Sequence, residues 1–224
     1  MSVLEYTTGV QPDTFTADDL YSKIQGTRDG APFSADWVLA RCMEGRVFAA
    51  HGGTATGPIT FGAGSISETE QDLVIYVPTG TTIGILEVNV QMEAFGTNAI
   101  FETMGKIGTY TTANTGGTAV TVRNLRSDAP FTSNCTVLSA CTTVASTGLT
   151  GAEFFRDGRQ VAKSLTTAAG VHVAQPMKFS WNHKAAGYIP LVVGSGACAI
   201  YAASQAGTGF ITVVYVEIPS TRIS

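Results

Sequence analysis

The sequence predicts an all-β fold, an antiparallel β-sandwich of jelly-roll-like type with a mostly irregular N-terminal arm. Three observations carry that expectation. Apolar runs of strand length recur from Arg46 onward, many of them β-branched; Gly, Pro, Asn and Asp punctuate them at short intervals; and the helical signals are few and short. No stretch in the middle reads as a linker. The expected organisation is an arm over residues 1–35, with one short helix, and a single sandwich domain over 36–224.

The arm is polar. Thr16 can cap a helix with Asp19 as its capping-box partner, Leu20 and Ile24 share a face, and Gly26 ends the turn. One or two turns are too few to hold alone, so the segment must lie on its own domain or on a neighbour. Its larger apolar side chains, Tyr6, Phe15, Leu20, Tyr21 and Ile24, are the candidate partner-binding residues. A second short helix fits Ala35 to Met43 with Ser34 as cap, although a strand fits there too.

The strands follow in order. Val47-Phe48 open one that Gly52-Gly53 break, and Ile59 to Phe61 make another. Leu73 to Val77 is apolar on both faces, as a central sandwich strand would be, and Pro78 to Gly80 ends it. In 86–93 the alternation is clearest: Leu86, Val88, Val90 and Met92 are assigned to one face, and Glu87, Asn89, Gln91 and Glu93 to the other. Short strands are expected near Ala119 to Val122 and Thr136 to Leu138. Glu153 to Arg156, Asp157-Gly158 and Arg159 to Val161 read as a hairpin, because Asp-Gly tolerates a type I′ turn. Phe179 and Trp181 alternate on one strand face. Ile189 to Val193, Cys198 to Ala203 and Phe210 to Ile218 close the chain, giving about ten strands in all.

Charge and motif content narrow the function. The net charge is −4 and no Lys/Arg stretch interleaves with aromatics, which argues against a phosphate-backbone ligand. No apolar run reaches the ~18 residues of a membrane helix, and Met1 to Glu5 lacks the basic and apolar regions of a signal peptide, so synthesis in a cytoplasm is expected. Cys42, Cys135, Cys141 and Cys198 match no zinc spacing and read as buried thiols, with a Cys135–Cys141 disulfide only in an oxidising compartment. His51, His172 and His183 show no ligand spacing, and no nucleophile elbow is present. The glycines at 62–64 and 194–196 lack the residues of a phosphate loop. Glu87 and Glu93 stand roughly 20 Å apart on one strand, too far to act on one bond. Catalytic, metal-binding and cofactor-binding residues are therefore all assigned as none, and the chain is expected not to be an enzyme.

Scarcity of charge points elsewhere. Charged residues make up 13% of the chain, against about 25% in an average domain, and only five are Lys. Interfaces are depleted in Lys and Glu, so an oligomer is expected.

Several stretches also resemble a known group. They are Gly45-Arg-Val-Phe48 with Gly53-Thr54, Val77-Pro-Thr-Gly-Thr-Thr-Ile83, Ala94-Phe-Gly-Thr-Asn-Ala-Ile100, Tyr188-Ile-Pro-Leu-Val-Val-Gly-Ser-Gly196, Ala197-Cys-Ala-Ile-Tyr-Ala202, and Gly207 to Glu217. Together they resemble small virion structural proteins of tailed bacteriophages, over residues 45–110 and 188–217. The resemblance implies a jelly-roll protein of the virion, of the head decoration or cement kind. Its partners would be itself, as a trimer, and a major capsid or other virion protein, with neither nucleic acid nor membrane. A carbohydrate- or receptor-binding β module on a fibre or tail is the alternative, and it would need Phe179 and Trp181 exposed.

Overall fold

A computed structural model of the chain describes residues 36–62, 65–94, 100–142, 148–160, 177–203 and 207–219. The arm residues Tyr6, Phe15, Leu20, Tyr21 and Ile24, its short helix, Ser34 and His172 lie outside the described residues.

The elements run α1 (Trp37–Met43), β1 (Val47–Gly52), β2 (Ile59–Thr60), β3 (Leu73–Val77), β4 (Thr81–Ala94), β5 (Ile100–Thr109), β6 (Thr118–Ala119), β7 (Arg123–Asn124), β8 (Thr136–Ser139) and β9 (Thr150–Gln160). After them come β10 (Lys178–Asn182), α2 (His183–Ala186), β11 (Leu191–Val193), β12 (Gly196–Ala203) and β13 (Thr208–Pro219). Two antiparallel sheets form. Sheet 1 has the order β10-β4-β13-β1-β7, with β11 also on β4 and β2 on β13; sheet 2 has the order β6-β8-β3-β12-β5-β9. The chain passes repeatedly from one sheet to the other, as in a jelly roll.

The core lies between the sheets. Phe48, Ile83, Ile85, Val88, Val90 and Val213 from sheet 1 meet Leu73, Ile75, Val77, Phe101, Cys198 and Ile200 from sheet 2. β3 is buried at every position, in accord with its unbroken apolar run, and Pro78–Gly80 turns the chain from sheet 2 into sheet 1.

Three expectations need correction. Leu86 does not share a face with Val88. Opposite β13 the pairing steps from Tyr215↔Ile85 to Val214↔Glu87, leaving Leu86 as the extra residue of a bulge. The bulge flips the pleat, so Leu86 packs with Val47, Val216 and Ile218 on the outer face, while Val88, Val90 and Met92 face the core. The Asp157-Gly158 hairpin is absent: β9 runs straight through it, with Asp157↔Thr103 and Gly158↔Glu102 paired to β5. A full-length partner strand outweighs a two-residue turn preference. Finally, the α1 cap is Asp36, whose carboxylate accepts the Val38 N–H at 2.8 Å.

β5 is a strand that the sequence hid. Gly105 and Gly108 look like breakers, yet each marks a close approach. A Cβ on Gly105 would lie 2.7 Å from the Phe154 ring, and one on Gly108 would lie 2.4 Å from the Thr150 carbonyl oxygen.

Candidate functional site

The outer faces of the two sheets are finished differently, and the difference locates the candidate site. On sheet 2, Val74, Tyr76, Met104, Ala199 and Tyr201 are covered by Ile66, Tyr110, Ala113 and Leu149 from connecting segments. Buried Asn114 locks this cover: its backbone N–H donates to the Tyr76 hydroxyl at 2.7 Å and its amide donates to Gln71 Oε1 at 3.2 Å and to the Thr142 carbonyl at 3.0 Å.

On sheet 1, α1 lies across Val47, Leu86, Val216 and Ile218, using Val38 and Cys42. At its start Asp36 pairs with Lys184 at 3.3 Å, and the N–H of Val38 with the Lys184 ammonium holds that carboxyl below the usual carboxylate range. At its end Asn124 bridges the Gly45 and Phe131 carbonyls at 2.8 and 2.9 Å, and Arg126 donates to the Met43 carbonyl at 2.6 Å. Glu217 anchors the same loop, its carboxylate accepting from Ser133 Oγ at 2.8 Å and Asn134 Nδ2 at 2.7 Å. The Arg46 guanidinium lies 4.0 Å from the Phe131 ring centre.

This framework presents apolar side chains to solvent. Leu39 and Met43, one turn apart on α1, are 53% and 37% exposed, and Leu125 and Phe131 beside them are 51% and 42% exposed. The other exposed large apolar residues among those described are Trp37 on α1 and Tyr188, Leu191 and Val193 along the β10–β11 edge of sheet 1. None lies on sheet 2. Beyond α1 the same sheet face is polar among the described residues. Its pairing aligns Ser180, Asn89, Thr212 and His51 in a row across four strands.

The remaining candidates fall into place around this surface. Phe179 and Trp181 are core residues, 1% and 9% exposed, the latter edge-on to Phe154 at 5.1 Å. They form no stacking platform. Glu87 and Glu93 are solvent-facing on β4, and Glu87 accepts from the Asn89 amide. His51 Nδ1 meets Thr212 Oγ1 at 2.8 Å, and His183 Nδ1 meets the Leu86 carbonyl oxygen at 3.0 Å. All four cysteines are free. Cys135 packs against the central core and Cys141 on the outer face of sheet 2; burial pushes both thiols up to about 12. Among the described residues no three His, Cys, Asp or Glu side chains group as metal ligands, and no helix is long and apolar enough to cross a membrane.

The apolar surface itself escaped the sequence reading, because Leu39 and Met43 in a short helix look the same whether they face a core or solvent. No family model matches the sequence, and no curated protein or solved structure matches it either.

Proposed function

We propose that this chain is a non-enzymatic structural protein of a phage particle, a capsid decoration or cement protein that oligomerises, as a trimer, and stabilises the particle by binding its major capsid protein. The observation that carries the reading is the one-sided distribution of exposed large apolar side chains among the described residues: α1, the 125–131 loop and the 188–193 edge hold them. Exposed apolar side chains gathered on one sheet mark a contact with protein, and a sequence with 13% charged residues has few groups to keep such a surface apart from a neighbour. The resemblance of residues 45–110 and 188–217 to virion proteins supplies the setting. The carbohydrate-binding alternative loses its support, since the two rings it needs are in the core.

The test is binding of the purified chain to undecorated phage heads, followed by imaging. Saturable binding on a symmetric lattice of sites, with sedimentation showing a trimer or larger, is the expected outcome. A monomer at every micromolar concentration that also fails to bind heads would refute the reading.

A further inference from the structure

β1 is longer than the strand that flanks it. β7 pairs only with Phe48 and Ala49. The Leu125 N–H reaches the Val47 carbonyl, so odd-numbered residues of β1 turn their backbone groups toward this side. His51 is the next in that series. By then the neighbouring chain has left for sheet 2, where the Val120 N–H bonds the Val137 carbonyl. Beside His51 lies a cleft of about 750 Å³ whose walls include Thr54, Thr118, Thr121 and Arg123. The His51 ring does not fill it, being held by Thr212 and stacked on Phe210 at 5.7 Å. Arg123 has no ion-pair partner among the described residues.

A strand edge whose donor and acceptor meet no partner among the described residues is a template for an added strand. We infer that residues 2–8 of a neighbouring copy, Ser-Val-Leu-Glu-Tyr-Thr-Thr, add to β1 at this edge, with Glu5 meeting Arg123. The inference rests on the oligomeric reading above and names its contact. Composition favours this occupant: the segment has strand-forming residues, neither Gly nor Pro, and one acid to set against one unpaired cation. Position favours a neighbour's copy. The arm joins α1 at Asp36, which pairs with Lys184 just after β10, whereas the cleft lies at the β7 edge, on the far side of the sheet. To use its own cleft, an arm would have to cross the full width of its own sheet. An arm leaving one edge and received at the opposite edge of the next copy makes a head-to-tail contact, which closes into a ring when the rotation permits. The residues from 9 to 35 reach up to ~90 Å when extended, well beyond the ~24 Å width of five strands.

Sedimentation of paired variants tests this. One lacks residues 2–8. The other keeps its arm but carries Arg123→Glu, with His51→Pro as a second cleft variant that removes the edge N–H. Each alone is expected to associate at least tenfold more weakly than the parent. An equimolar mixture of arm-less and Arg123→Glu chains should restore one contact: the Arg123→Glu copy donates its intact arm to the arm-less copy's intact cleft, giving a heterodimer. Glu5→Arg should rescue Arg123→Glu. An arm-less chain that associates like the parent, or an Arg123→Glu chain that does, would overturn the inference and leave the oligomeric reading standing. A parent that is monomeric throughout would remove both.

Discussion

Sheet 2 packs connecting segments over its outer face, whereas sheet 1 covers part of its face with α1 and leaves apolar side chains on that helix's outer side exposed. Under the proposed oligomeric reading, the covered side is finished as a monomer's surface and the α1 side as a subunit's. On sheet 2 the cover is pinned by buried polar contacts such as those of Asn114. On sheet 1 equally specific contacts, from Asn124, Arg126 and Glu217, hold Leu125 and Phe131 outward. Order is spent there on presentation, which is what a docking surface requires.

Breaking the shared core should erase the difference altogether. Val88 is fully buried between the sheets, so Val88→Asp places an unpaired charge there and is expected to abolish folding, while Gln91→Asp on the exposed side of the same strand should change stability by less than ~0.5 kcal/mol. Circular dichroism melts of the two check the pair. Asn114→Ala should be the next most severe. It strips partners from the Thr142 carbonyl and the Gly116 N–H, costs about 2–3 kcal/mol in denaturant titration, and leaves self-association of the folded chain unchanged.

A pH series sharpens the comparison on the sheet 2 side. Asp72 is buried, accepting the Ala202 N–H at 2.6 Å and the Gly62 N–H at 3.3 Å, and desolvation raises its carboxyl to about 7. A raised folded-state value means that the folded chain holds this proton more tightly than the unfolded one. The contribution is therefore complete below pH ~4 and is lost as pH rises through about 7, with a slope of at most ~1.4 kcal/mol per unit. Asp72→Asn should flatten that part of the stability profile measured by denaturant titration.

The smallest effect on folding is expected where the effect on assembly is greatest. Leu39→Gln with Leu125→Gln should shift stability by under ~1 kcal/mol, because both side chains are already half in water. Sedimentation should nevertheless show association weakened at least tenfold.

Much of this architecture is legible in the sequence, and the reasons for the failures are local. Leu73 to Val77 and Val88 to Met92 announce themselves because burial on two faces or one leaves an unbroken or alternating pattern. The Leu86 bulge leaves none, since an extra residue is specified by the partner strand β13 rather than by its own neighbours. β5 was masked by glycines that serve contact with Phe154 and Thr150, and Asp157-Gly158 carried a turn signal that pairing with β5 overrode. Of the site, the sequence indicated only that some surface should meet protein. Which surface depended on where α1 lies, and that is set by Val47, Leu86, Val216 and Ile218 from three separate strands.

Hydrogen exchange followed by mass spectrometry, on the full chain at dilute and at assembling concentrations, tests the sheet 1 assignment most directly. Added protection should fall on the segments around Trp37–Met43, Leu125–Phe131 and Leu191–Val193, with the cover of sheet 2 around Tyr110–Asn114 unchanged. Protection gained on the sheet 2 cover, with none on α1 and its neighbours, would contradict the account.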